Sequence, residues 1–124
     1  RSFAVVTGHC KNGEPSDIQW EYLAKSVDTL AIYMGMSNLP FITEQLIKCG
    51  KSSQTPIAII QEGTTPNQKV VTGTLQNIVH LVEQHQVENP AMIVIGEVVK
   101  VGEKLQYLKD RFQDQETIAT LKAF

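Results

Sequence analysis

Asp28-Thr-Leu-Ala-Ile-Tyr-Met-Gly35 and Pro56-Ile-Ala-Ile-Ile-Gln-Glu-Gly-Thr-Thr-Pro-Asn-Gln68 bound the stretch whose reading decides the fold. Each begins as a short continuous apolar run, the pattern of a strand covered on both faces. Each stops at or near a glycine and passes into a turn-forming segment. Between them Ser37 or Asn38 can cap a helix through Phe41, Ile42, Gln45, Leu46 and Cys49, stopped by Gly50. In open α/β sheets, small molecules bind at the carboxyl ends of strands. Glycine there lets a ligand come close to the backbone. A ligand edge is therefore expected after each run.

Working outward, Phe3–Thr7 is a third apolar run, ending at Gly8. Lys69–Thr74 is a weaker strand whose Gly73 suggests a bulge or hairpin. Ala91–Val99 is the strongest strand signal, introduced by Asn89 and Pro90. Leu30–Met34 and Ile57–Ile60 complete five strands. Ser16 or Asp17 can cap a helix over Ile18–Val27 that turns Ile18, Tyr22, Leu23 and Trp20 inward. Another helix runs from Thr74 through Leu75, Ile78, Val79, Leu81 and Val82 toward Gln86. The short link Gly63–Gln68 leaves room only for a hairpin. The sum is an α/β fold: a five-stranded mixed sheet flanked by helices. Near Gly102 the pattern changes. Glu103–Phe112 reads as an amphipathic helix, and 113–124 as a polar tail.

At 124 residues the chain fits one domain. Its net charge of -2 gives no basic footprint for nucleic acid. No apolar run nears the ~20 residues that cross a bilayer, and no signal peptide opens the chain. A strand beginning at once after Arg1 reads as a piece of something longer. Cys10 and Cys49, far apart and without CxxC spacing, leave two readings, a disulfide or free thiols of a reducing cytosol, of which the thiols are preferred. The glycines form no phosphate-binding motif. His80 and His85 lie five apart and face different ways on a helix, so they do not share a metal. His9 and Cys10 are adjacent and lack an orienting third group, so a loop role is expected. Glu14 and Asp17 flank Pro15 in a turn. Glu62 and Glu97 end separate strands, either as solvated edge residues or as ligand contacts. Tyr33 and Met34, taken alone, suit packing under a loop.

The succession Val6-Thr-Gly-His9, Trp20-x-x-Leu-Ala24, Tyr33-Met-Gly35, Glu62-Gly-Thr64, Gly73-Thr-Leu75 and Pro90-Ala-Met-Ile-Val-Ile-Gly-Glu-Val-Val99 resembles the carboxyl-terminal domain of the tetrapyrrole methylase family. The resemblance covers roughly residues 1 to 100, which implies a domain over 1–101 and a helix and tail over 102–124. It implies a second α/β domain whose amino-terminal partner is missing here, with helices on both faces of the sheet. It implies S-adenosylmethionine as cofactor and a tetrapyrrole substrate, uroporphyrinogen III, methylated to precorrin-2 for sirohaem or cobalamin. A cytoplasmic homodimer is implied as well. Met34 and Gly63 inherit cofactor contacts; Ala91 is a lesser candidate, and Tyr33 and Thr64 are candidates as their neighbours. The family's Gly-x-Gly-x-Gly-Asp loop and Gly-Gly-Asp-Pro segment are missing from this chain, so it supplies about half a site, and the isolated chain is expected to fold without activity. Ala31 stands where the family commonly has a bulkier aliphatic residue, a packing difference. Two alternatives are a methylase of another substrate in the family and a non-catalytic dimerisation domain.

Overall fold

The computed structural model describes residues 2–7, 10–11, 14–15, 19–33, 36–61, 69–87 and 91–102. Seven strands occur there: β1 (Phe3–Thr7), β2 (Cys10–Lys11), β3 (Glu14–Pro15), β4 (Thr29–Tyr33), β5 (Pro56–Gln61), β6 (Lys69–Thr74) and β7 (Ala91–Ile95). The helices are α1 (Trp20–Ser26), α2 (Leu39–Lys48) and α3 (Ile78–His85), with 3-10 turns at Met36–Asn38 and Glu97–Lys100. Five strands form one mixed sheet in the order β1-β4-β7-β5-β6. β1 and β4 are parallel, and the other three pairings are antiparallel. β2 and β3 form a separate two-stranded ribbon. This ribbon stands where the sequence suggests only a turn around Pro15.

Alternation along the strands divides the core into two layers. Leu30, Ile32, Ile57, Ile59, Val71, Ile93 and Ile95 face the three α-helices. These residues meet Trp20 and Leu23 of α1, Ile42 and Leu46 of α2, and Ile78 of α3. Ala31, Tyr33, Ile60, Met92 and Val94 point the other way, where Val98 and Val99 of the second 3-10 turn pack on them. All the described α-helices thus lie on one face. The helix expected over 103–112 lies outside the described residues. Edge-to-face packing of Trp20 on Phe41, with ring centroids 6.2 Å apart, joins α1 to α2. Lys51 Nζ donates to the carbonyls of Ala24 and Val27 at 3.4 and 3.3 Å, satisfying backbone acceptors where α1 ends.

Several elements differ from the sequence expectation. The last strand stops at Ile95 rather than Val99, because Gly96 takes φ 136° and donates its N–H to the Pro56 carbonyl. A Cβ at Gly96 would lie 2.4 Å from the Asp28 carbonyl oxygen. The run Val98-Val99 is then folded back over the sheet. Gly73 makes no bulge: the β5–β6 ladder is continuous from Pro56↔Thr74 to Gln61↔Lys69. Its lack of a side chain instead admits α3, since a Cβ would come within 2.5 Å of Asn77 Oδ1 and 2.6 Å of Leu81 Cδ1. The third helix begins at Ile78, not Thr74; Asn77 Oδ1 accepts the Thr74 N–H at 2.8 Å and holds Leu75–Asn77 as a turn. Tyr22, expected in the core, is 58% exposed. The buried stripe of α1 and its exit is Trp20, Leu23, Ala24 and Val27, and Tyr22 lies about 200° around the helix from Trp20. Asn38 stands at the cap position of α2 but makes no side-chain cap hydrogen bond, and neither does Gln19 before α1. Ser16, Asp17 and Ile18 lie outside the described residues.

Candidate functional site at one rim of the sheet

The strand directions bring five chain ends to one rim. β1, β4 and β5 finish there, at Thr7, Tyr33 and Gln61, while β6 and β7 begin there, at Lys69 and Ala91. Tyr33 pairs with Met92, Met92 with Ile60, and Ala91 with Gln61. The ends of β4 and β5 therefore flank the start of a single intervening strand, about 10 Å apart at the usual strand spacing. The two strands expected to lead into a ligand edge thus end, at Tyr33 and Gln61, on the same rim.

Met34, Gly63 and Thr64 lie outside the described residues, as do Glu62, His9 and Gly35. Of the remaining candidates, Ala91 opens β7 between the two strand ends. Tyr33 ends β4, but its ring is buried in the layer opposite the α-helices, beside Met92 and Val94. The backbones of Tyr33 and Ala91 share the rim. Two features went unnoticed in the sequence. Gln61, half-buried, follows five buried residues of β5. The turn Met36–Asn38 packs against β7. A polar residue closing the run Pro56–Ile60 was the available signal for the first; nothing in the sequence announced the second.

Glu97 is exposed and lies 3.7 Å from Lys100, a contact on the surface. Cys49 is a half-buried free thiol. Among the described residues no three His, Cys, Asp or Glu side chains converge as a metal set, and no helix is long and apolar enough to cross a membrane. Shallow depressions along α1 (Trp20, Tyr22, Lys25) and beside α2 (Thr43, Ile47, Gln76) bring together no nucleophile and base. Among the described residues, the rim offers strand-end backbone and the carboxamide of Gln61.

Residues 2–79 match the sequence profile of the Tetrapyrrole (Corrin/Porphyrin) Methylases. The chain belongs to the tetrapyrrole methylase family. It is similar to a uroporphyrinogen-III C-methyltransferase of Priestia megaterium, 58% identical over 98 residues, which make up 79% of this chain and 41% of that protein. A siroheme synthase of Pseudomonas fluorescens is 47% identical over 109 residues, 88% of this chain and 23% of that protein. Among solved structures, a uroporphyrin-III C-methyltransferase of Thermus thermophilus complexed with S-adenosyl homocysteine superposes with a TM-score of 0.67 at 28% identity, covering 81% of this chain and 43% of that one. The chain thus spans less than half the length of these relatives.

Proposed function

We propose that this chain is the part of a uroporphyrinogen-III methyltransferase that forms one wall of the S-adenosylmethionine site. One observation carries the reading: the ends of β4 and β5 and the start of β7 meet at a single rim. Met34 follows the first of these ends and Gly63 the second, and both take cofactor contacts in this reading. Ala91 sits between them. Thr64 contributes as the neighbour of Gly63, while Tyr33 supports the wall from the opposite layer. The similarity to a methyltransferase complexed with S-adenosyl homocysteine supports the choice of cofactor.

The chemistry suits such a wall. Transfer of a methyl group from a sulfonium to a ring carbon is an in-line displacement, governed mainly by alignment of donor and acceptor. Backbone groups and neutral side chains supply alignment without a catalytic acid. The fit of the cofactor rests on what the rim presents: strand-end backbone, a carboxamide and small residues. The remaining contacts come from the amino-terminal domain of the full-length protein. The product is precorrin-2, feeding sirohaem or cobalamin synthesis, and the enzyme works as a homodimer in the cytoplasm. Sedimentation of the full-length protein at the mass of two chains checks the dimer.

The deciding experiment is a calorimetric titration with S-adenosylhomocysteine of the full-length protein and of the 124-residue chain. The full-length protein is expected to bind it and to methylate uroporphyrinogen III. The 124 residues alone are expected to bind far more weakly and to be inactive. A full-length protein that does not bind S-adenosylhomocysteine, or an isolated chain that methylates, overturns the proposal.

A further inference from the structure

We propose that Gln61 is a specificity-determining residue of this site, its carboxamide reading the amino-bearing edge of the cofactor's adenine; the inference rests on the cofactor reading above. β5 is buried through Pro56–Ile60 and turns polar only at its last residue, which is half-buried at the rim. Strand alternation puts Gln61 on the helix side with Ile57 and Ile59. Its cross-strand neighbour is the small residue Ala91. On the same strand, β7, packs the turn Met36–Asn38 that follows β4. In the cofactor reading, a nucleoside spanning the ends of β4 and β5 crosses the start of β7, and in this proposal its base sits on the β5 side, beside position 61.

The functional groups match. A carboxamide presents an acceptor oxygen beside N–H donors. Adenine presents its N6 amino donor beside the N7 acceptor, and glutamine pairs with that edge through two parallel hydrogen bonds, whereas the inosyl base presents two acceptors there. Gln61 already has a partner within the chain, yet two donor hydrogens and two lone pairs leave capacity for the base. A neutral side chain suits the neutral base better than the cofactor's charged amino-acid end, which calls for charge-assisted partners.

The test uses the full-length protein and two probes, S-adenosylhomocysteine and S-inosylhomocysteine, in which a carbonyl oxygen replaces the amino group. Dissociation constants are measured for the wild type, Gln61→Met and Gln61→Glu. The wild type should prefer the adenosyl compound about tenfold or more, since a site built around a hydrogen bond rejects a ligand that breaks it. Gln61→Met should bring the two affinities to within about twofold, which corresponds to the loss of hydrogen bonds of ordinary strength. Because Gln61 also has a partner within the chain, the thermal midpoint of Gln61→Met should fall slightly, while the loss of adenosyl preference exceeds any change in KM for the tetrapyrrole. Gln61→Glu should keep most of the preference, because its oxygens still accept from the amino group. Wild-type discrimination in Gln61→Met overturns the inference. Equal loss in both variants together with a lowered thermal midpoint also overturns it, by showing a purely structural role. Should Gln61→Met not fold, the inference stands if Gln61→Glu retains the preference and falls if it does not. A wild type that binds neither compound refutes the cofactor reading itself, so the two failures are distinguishable.

Discussion

Gly96 and Gly73 show how single residues set the position of whole segments. At Gly96 two demands coincide, a φ of 136° and a Cβ that would sit 2.4 Å from backbone at Asp28. Backbone cannot swing aside as a side chain can. Gly96→Ala should therefore cost roughly 2–6 kcal/mol, the combined range for a strained φ and for overpacking. Urea denaturation of the purified chain measures it, and a cost below 0.5 kcal/mol would contradict the close approach. At Gly73 the obstruction is the side chains of Asn77 and Leu81, which can give way. Gly73→Ala should cost less, about 1–3 kcal/mol. The ordering of the two variants is read from the same denaturation curves. Neither sequence position foretold its reason. A glycine between two apolar stretches gives the same signal whether it bends a strand, ends one or admits a helix.

Among the elements, the legible parts were those with uniform environments. Thr29–Tyr33 and Pro56–Gln61 are buried almost throughout, so an unbroken apolar run was enough to mark them, and the short 62–68 link fixed β5 and β6 as antiparallel neighbours. The true extent of β7 was not legible, because Val98 and Val99 are as apolar as a strand but cover the sheet face instead. The rim was legible in part: two strand ends bearing ligand-edge signals could be named, but their common side depends on β7 lying between them, which only the pairing reveals. The junction of β1 with the α1–β4 corner was likewise hidden in a serine. Ser2 Oγ donates to the Ser26 carbonyl and accepts the Asp28 N–H, both at 2.9 Å, while the Asp28 carboxylate accepts the Ser2 N–H at 3.1 Å. Ser2→Ala removes the first two of these bonds. The expected loss is about 1 kcal/mol for solvent-accessible bonds, with amide protection along β1 falling before that of β5. Exchange monitored residue by residue would show the reverse order if this corner held nothing.

Taken whole, the molecule has one large core in which the single tryptophan is embedded. Trp20 shares that core with β4, β5, β7 and all three α-helices. Its fluorescence and the far-ultraviolet circular dichroism should therefore fall together in urea, as a cooperative unit requires. Separate midpoints would mean that α1 melts on its own. The position of β7 has a further result for biosynthesis. It is the last strand of the sheet to leave the ribosome, yet it occupies the centre. Until residue 95 emerges, the nascent polypeptide holds two unjoined pieces, each exposing a bare inner edge, Leu30–Tyr33 on one and Ile57–Ile60 on the other. Such edges invite pairing with other chains. A gene truncated before codon 91 should yield inclusion bodies, whereas one ending just past the second 3-10 turn should not.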